Sequence, residues 1–191
     1  MKWIKIISIL CLSFFIFAAE AQVKRANTLR RPSKSRTTKF IYGNLFYMSY
    51  ADQVIAQVQG QKENARSIFS AFAVGMDYTF YSGRYLYGWY LNVLHGNVDI
   101  ERVLSTSYPR RPFLGVNTGP EVGYRLNGDM DLSYGLGVMY RDISNVGQSF
   151  VIANQIKFKV RLTPKITFFQ DFGNYGKAKS YSYSMGLRWL L

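Results

Sequence analysis

The feature that most constrains this chain is a one-by-one alternation of apolar and polar residues that recurs along its length after Thr38. Between Leu114 and Leu126 the even positions are Leu, Val, Thr, Pro, Val, Tyr and Leu, and the odd positions are Gly, Asn, Gly, Glu, Gly and Arg. Successive side chains of a β-strand point to opposite faces, so this pattern predicts a strand with one apolar and one polar face. Eight such segments lie at about 39–51, 67–81, 84–97, 113–126, 130–142, 149–162, 165–174 and 180–191.

The two faces of these segments differ in size as well as in polarity. The apolar face is long and rich in aromatic residues, and its length matches the roughly ten residues that a tilted strand needs to cross a bilayer. The other face is polar but rich in Gly, Ala and Ser, as a narrow barrel lumen requires. Asn44 and Gln170 fall on the apolar faces of the first and seventh segments, which leaves the register of those strands open.

The links between segments support an up-and-down order. Short, turn-forming links occur at Ser82-Gly83, Asn127-Gly128-Asp129 and Thr163-Pro164, and longer links at about 52–66, 98–112, 143–148 and 175–179. Strict alternation of short and long links is typical of outer-membrane barrels, whose short turns are periplasmic. We therefore expect an all-β, eight-stranded, antiparallel transmembrane barrel with a polar lumen filled by side chains and with both termini in the periplasm. A soluble barrel of the lipocalin kind, with the apolar face inward around a lipophilic ligand, is the alternative.

The first residues predict export. Residues 1–5 contain two lysines and no acid, residues 6–17 are almost wholly apolar, and Ala19-Glu20-Ala21 has the small-x-small pattern of a signal-peptidase site. The sequence therefore predicts a signal peptide over 1–21, a basic arm over 22–38 and a barrel domain over 39–191. Cys11 is the only cysteine and lies in the predicted signal peptide, so we expect neither a disulfide nor a thiolate metal site in the mature chain.

The formal net charge of +13 is concentrated near the start of the chain. The basic residues predicted to form the periplasmic arm are Lys24, Arg25, Arg30, Arg31, Lys34, Arg36 and Lys39. An export signal argues against nucleic acid as the partner of this arm, so an anionic envelope polymer or lipid head group is the better candidate. A solvated tail without a partner explains the arm equally well.

In this alternation and these links the chain resembles the small OmpA/OmpX-type outer-membrane barrels, over about residues 39–191. The resemblance rests on pattern, not on a residue signature. It implies an outer-membrane location, contact with membrane lipids including lipopolysaccharide, a monomeric state, and insertion by the barrel-assembly machinery. That machinery recognises an aromatic, alternating last strand; this chain has one, but it ends in Leu191 where a terminal Phe is common.

The predicted turns fix which polar residues meet in the lumen. A three-residue loop at 127–129 pairs Arg125 with Asp131, and one at 163–165 pairs Lys157 with Asp171. A two-residue turn at Ser82-Gly83 pairs Gly75 with Tyr90. We expect Glu121 to be shared among Arg125, Lys157 and Arg188. The full predicted lumen network comprises Asp77, Glu121, Arg125, Asp131, Arg141, Lys157, Asp171 and Arg188.

These residues predict structural ion pairing and not catalysis. The leading interpretation is a non-enzymatic barrel with an envelope-structural or surface-interaction role, carried by its loops at 52–66 and 98–112. The loop residues expected to make contacts are Arg102, Tyr108, Arg110 and Arg111. No cofactor is expected, since the sequence has no phosphate-binding motif and too few His and Cys residues for a zinc site.

Two other functions remain open at this point. A small pore would favour anions, because Lys and Arg exceed acids on the polar faces. A lipid A-modifying enzyme would need a base, and His95, the single histidine, lies near the outer end of the third segment on its apolar face. His95 has no Ser two residues later, so it departs from the deacylase pattern.

Overall fold

The computed structural model of the chain describes residues 37–58, 61–100, 110–176 and 181–191, with backbone only at 54–58 and 61–64. The predicted signal peptide, Arg102, Tyr108 and the basic arm up to Arg36 lie outside the described residues. Lys39, which the sequence groups with that arm, is instead part of the first strand and pairs with Phe80. The described part of the chain contains no helix with the length and hydropathy that crossing a membrane requires.

The described residues form eight strands that close into a barrel in sequence order. Their bounds are β1 (Thr38–Val58), β2 (Gln61–Ser82), β3 (Tyr85–Ile100), β4 (Arg111–Arg125), β5 (Met130–Ile143), β6 (Gly147–Arg161), β7 (Ile166–Tyr175) and β8 (Ser182–Leu190). Each strand pairs antiparallel with its neighbours, and β1 pairs with β8 to close the ring. The predicted eight-stranded up-and-down barrel is confirmed.

The turn between β2 and β3 lies one residue later than the sequence predicts. Gly83 and Arg84 form it, and Gly83 has a φ of 64°, which suits a hairpin turn with glycine at its first central position. Because the turn is shifted by one residue, Tyr90 pairs with Asp77 and Gly75 pairs with Asn92. The predicted pairing of Gly75 with Tyr90 is therefore wrong.

The two other short turns follow the prediction. Arg125 pairs with Asp131 across the 127–129 loop, and Lys157 pairs with Asp171 across the 163–165 loop. The ends at which β2 meets β3, β4 meets β5 and β6 meets β7 are called the turn side below. The opposite end is called the loop side.

For two of the four links predicted to be long, the predicted length is wrong. The strand pairing of β1 and β2 extends up to Val58 and Gln61, so most of the predicted loop at 52–66 is a continuing β-hairpin. The link between β5 and β6 has only three residues, 144–146, and Asn145 (φ 60°) and Gly147 (φ 122°) adopt the left-handed conformations that a tight turn needs. Alternation of short and long links is therefore not strict.

The outer face of the barrel carries a belt of large apolar side chains. These include Leu45, Val74, Trp89, Leu91, Leu114, Val122, Tyr134, Leu136, Ile152, Ile156, Phe172 and Leu187, each about 40 to 64% exposed. A continuous apolar surface of this size is characteristic of a wall covered by lipid. The inner faces hold nearly all the buried residues. The large apolar face therefore points outward, which is the opposite of the lipocalin-like alternative.

The interior is divided into two zones, whereas the sequence predicts a polar lumen throughout. The loop-side half is filled by a cluster of buried side chains, called the apolar plug below: Met48, Tyr50, Phe69, Leu94, Val98, Ile100, Phe113, Met139, Ile143 and Tyr175. The turn-side half is mainly polar and charged. At the loop side the outer face is polar instead of apolar, with exposed Gln53, Arg66, Asp99, Asp142 and Gln148. This end of the barrel, called the loop-side extension below, has an apolar inside and a polar outside.

Asn44 and Gln170, which left the register of the first and seventh strands open, lie on different faces of the barrel wall. Asn44 points inward, is 3% exposed, and donates from Nδ2 to Asp77 at 3.0 Å. The sequence placed Asn44 on the apolar, outward face of the strand, and this prediction was wrong. The inner face of β1 is itself largely aromatic, so in the sequence it resembles an outer face. Gln170 does lie on the outer side, where its Nε2 donates to the hydroxyl of Tyr183 at 3.3 Å.

The β4–β5 ladder is interrupted once, at Pro120. Thr118 pairs with Val138 and Glu121 pairs with Gly135, so the same register continues on both sides of the interruption. Proline has no N–H to donate to the neighbouring strand. The break therefore removes ladder bonds without moving any side chain to the other face.

Candidate functional site

The centre of the turn-side lumen holds one carboxylate between two ammonium groups. Glu121 of β4 is 3% exposed; its Oε2 lies 3.2 Å from Nζ of Lys157, and its Oε1 accepts from Nζ of Lys159. Both lysines belong to β6, two residues apart, and therefore share its inner face. Of the three predicted partners of Glu121, Lys157 forms an ion pair with it, and Arg125 and Arg188 pair with other acids. Lys159 was missed as a partner.

The other two arginines have their own acids nearer the turn side. Arg125 Nε lies 3.3 Å from Oδ1 of Asp131, whose Oδ2 accepts from the Tyr81 hydroxyl at 2.6 Å. Arg188 reaches Asp77 at 3.9 Å. Both guanidinium groups also stack on tyrosine rings, Arg125 over Tyr81 at 3.9 Å and Arg188 over Tyr42 at 4.0 Å. The turn register explains why: Arg125 is directly opposite Asp131, so a nearer carboxylate displaces Glu121 as its partner.

Polar groups also connect the charged zone to the apolar plug. Asp171 Oδ2 accepts from the Ser184 hydroxyl at 3.0 Å, and Asp171 lies opposite Lys157. Above it, the Tyr175 hydroxyl donates to Gln155 at 2.6 Å and accepts from Asn117 at 3.2 Å. Tyr175 thus belongs to both zones, with its ring in the plug and its hydroxyl in the network.

A buried ion pair lies within the apolar plug. Arg141 Nη2 lies 2.7 Å from Oδ2 of Asp52, with both side chains 3% exposed, and Arg141 Nε donates to Ser149 at 2.8 Å. Beneath the pair, the rings of Tyr50 and Phe69 stack at 4.5 Å. Arg141 was among the predicted lumen residues. Its partner was missed because Asp52 was assigned to a loop, and only the continuation of β1 turns it inward.

The structure brings the predicted lumen residues into four separate ion-paired groups and not into one network, with Asp171 opposite Lys157. All eight (Asp77, Glu121, Arg125, Asp131, Arg141, Lys157, Asp171 and Arg188) lie on inner faces, and seven are buried, while Arg125 is half-buried. The aromatic plug was not predicted. Its signal was present in the sequence, since Tyr50, Phe69 and Tyr175 occupy inward positions once strand register is known.

The remaining candidates lie on the outer surface. His95 is exposed on β3 between Phe72 and Leu114, which agrees with its predicted place on an apolar face. At the loop side Arg110 Nε forms a 3.6 Å ion pair with Asp99, and both side chains are more than half exposed. Arg111 begins β4 and is half-buried. Within the described ranges, no group of three or more His, Cys, Asp or Glu residues is arranged to hold a metal ion.

The comparisons with known proteins rest on structure, since no protein-family model and no curated protein matches the sequence. OprG, an outer membrane protein of Pseudomonas aeruginosa, aligns with a TM-score of 0.55 and 12% identity, over 82% of this chain and 98% of that one. Ail, the attachment invasion locus protein of Yersinia pestis, solved with the heparin analogue sucrose octasulfate, aligns with a TM-score of 0.50 and 12% identity, over 83% and 99%. The chain therefore has the fold of the small eight-stranded outer-membrane β-barrels.

Proposed function

We propose that the protein is a non-enzymatic barrel of the bacterial outer membrane that acts through its loop-side extension and passes no solute. The observation that carries this proposal is the apolar plug. Tyr50, Phe69, Leu94 and Met139 are at most 2% exposed, and they fill the lumen between the charged zone and the loop side. A side-chain-filled interior is normal for eight strands, and here buried aromatic and aliphatic side chains fill most of its loop-side half.

Conductance in planar bilayers tests the closed lumen. The purified chain is expected to give no current steps, and the triple variant Tyr50→Ala, Phe69→Ala, Tyr175→Ala serves as the sensitivity control because it removes three plug rings. Regular, anion-selective steps from the unaltered chain would overturn the proposal and favour the small pore instead.

The loop-side extension is the part of the molecule that supports a surface role. Its outer face is polar, the exposed Arg110 directly precedes β4, and Arg111, the first residue of β4, is half-buried opposite Val98. Surface loops on a rigid scaffold carry binding more often than the scaffold itself. The planar guanidinium of arginine binds two oxygens of an anionic group such as carboxylate or phosphate at once. An anionic surface glycan is therefore the class of ligand we propose.

The matching experiment is a binding titration with a defined polyanion. Sucrose octasulfate is a reasonable first probe, since Ail has been solved with it. The paired variant Arg110→Gln, Arg111→Gln should weaken binding, while the control Lys165→Gln, at the turn side, should not. Equal binding by all three proteins would refute the assignment to these arginines.

The cellular setting is proposed from the sequence and the fold together. The predicted signal peptide would export the chain, the barrel-assembly machinery would insert it as a monomer, and the belt would contact membrane lipids including lipopolysaccharide. The basic arm would then lie in the periplasm with both termini, available to an anionic envelope polymer. Outer-membrane fractionation, with extraction only by detergent, is the expected result; recovery in the soluble periplasmic fraction would contradict it.

Replacement of the exposed His95 tests whether the protein is non-enzymatic, as proposed. Its described strand neighbours, Phe72 and Leu114, supply no nucleophile and no orienting acid, which a base of the hydrolase kind requires. Lipid A from cells expressing the unaltered chain and from cells expressing His95→Ala should be identical by mass spectrometry. Loss of a lipid A modification in the variant would establish an enzyme.

A further inference from the structure

The outer face of β4 forms the floor of a trough in the lipid-facing wall. Val122 lies between Tyr87 of β3 and Tyr134 of β5 in register, and Pro120 lies beside Trp89. Val122 is short, whereas the two residues that flank it are aromatic. The resulting groove has a volume of about 500 Å³ and is lined almost entirely by apolar atoms.

Packing between the tyrosines keeps the trough open. The Tyr87 ring stacks on Phe80 of β2 at 5.2 Å, and it therefore leans away from Val122. At the turn-side end, Tyr85 and Tyr124 meet edge to face at 5.7 Å and close the groove. The trough thus runs along β4 from Val122 to Tyr124, with Leu132 and Tyr134 of β5 as its opposite wall.

The closed end of the trough carries an exposed cation. Arg84 lies in the β2–β3 turn, and its Nη1 donates to the hydroxyl of Tyr124 at 3.3 Å. This bond holds the guanidinium at the mouth of the groove, with the Tyr85 ring beside it. An apolar slot that ends at an arginine and two phenols matches an acyl chain attached to a phosphate.

We propose that this trough binds one acyl chain of an anionic glycerophospholipid from the turn-side leaflet, with its phosphate against Arg84. The site depends on the membrane-spanning fold and not on the proposed role of the loop-side extension. Failure of either proposal therefore leaves the other intact. The lipid would hold the β3–β4–β5 wall at the position where Pro120 interrupts the ladder.

Tryptophan quenching can test the proposal at the site itself. Trp89 lies on the outer face of β3, two residues from Tyr87 of the trough wall, whereas Trp189 lies on β8. The full chain with Trp3→Phe and Trp189→Phe leaves Trp89 as the reporter, and the chain with Trp3→Phe and Trp89→Phe reports from β8. Each protein is placed in phosphatidylcholine vesicles that contain a small, equal fraction of brominated phosphatidylglycerol or brominated phosphatidylcholine.

The expected result is a preference for the anionic lipid at Trp89 of about fivefold, the effect of one basic side chain at a membrane surface. Arg84→Gln should abolish this preference. Val122→Phe, which fills the trough, should abolish it too, while Val74→Phe, a matched change elsewhere on the belt, should not. Folding of every variant is checked by heat-dependent gel migration.

Three outcomes would overturn the proposal. One is equal quenching of Trp89 by the two brominated lipids. Another is a preference of the same size at Trp189, which would indicate only general attraction of anionic lipid to a basic protein. The third is a preference that survives Arg84→Gln in a correctly folded variant.

Discussion

Replacing Glu121 by glutamine is the most informative single change in the lumen. Glutamine keeps the shape of the side chain but removes the charge that faces Lys157 and Lys159. All three side chains are at most 5% exposed, so solvent cannot replace the lost carboxylate. We expect the barrel to assemble but to be substantially less stable.

The magnitude follows from what each lysine retains. Lys157 still lies opposite Asp171, so a second carboxylate is available to it. Lys159 lies opposite Asp131, but the oxygens of that carboxylate already bind Tyr81 and Arg125. One buried ammonium therefore loses its main partner, and removal of one partner from a buried pair costs about 3 to 5 kcal/mol. We expect a loss near the lower end, about 3 kcal/mol.

The assay is equilibrium unfolding in urea, with the chain in lipid vesicles and the folded fraction followed by tryptophan fluorescence. Asp99→Asn is the matched control, because it also changes an acid to its amide but breaks an exposed ion pair with Arg110. Exposed pairs contribute about 0 to 1 kcal/mol, so the control should change stability by no more than that.

A double variant separates the charge effect from simple loss of packing. Glu121→Gln combined with Lys159→Met removes the stranded cation, and it should recover at least half of the loss. A loss below about 1 kcal/mol in Glu121→Gln alone would refute the reasoning, since it would place the cluster among the exposed pairs. No recovery in the double variant would refute it as well.

Two further predictions concern the plug and the wall. Phe69→Ala should lower the free energy of unfolding by about 3 to 5 kcal/mol, because a fully buried ring in the plug is lost; Phe72→Ala, on the same strand but 66% exposed to lipid, should cost clearly less in the same urea titration. Gly137→Val should prevent assembly, because even a Cβ at Gly137 collides with the Tyr90 hydroxyl and a backbone carbonyl; Gly128→Val, in an open turn, should assemble normally, as judged by heat-dependent gel migration. Unfolding midpoints that coincide for Phe69→Ala and Phe72→Ala, or normal assembly of Gly137→Val, would contradict these expectations.

Much of the fold can be predicted from local patterns because a β-barrel wall is built from them. The alternation of β4 and β5 gives both faces directly, and the turn residues 127–129 give their register without any long-range information. The Arg125–Asp131 and Lys157–Asp171 pairings were therefore predicted correctly. The Gly75–Tyr90 pairing failed because two neighbouring dipeptides, 82–83 and 83–84, are both plausible turns, and only the conformation of Gly83 distinguishes them.

The content of the lumen is harder to predict because it depends on residues that are distant in the sequence. Glu121 and Lys159 are 38 positions apart, and no local pattern indicates that Lys159 is nearer than Arg188. The plug is a second example. Tyr50 and Phe69 lie within the predicted strands, but the sequence alone does not show that they share the inner faces of Asn44 and Asp77.

The reversal of polarity along the barrel axis also limits what protein engineering can achieve. Exchanging the exposed belt for polar residues would make the outside of the whole barrel compatible with water. Only the loop-side extension, however, would then have the apolar interior that a water-soluble barrel needs. The zone around Glu121 would be left with polar groups on both sides of its wall and little hydrophobic stabilisation. A soluble version of this barrel would therefore require a second exchange inside the lumen, with apolar residues in place of the buried charges.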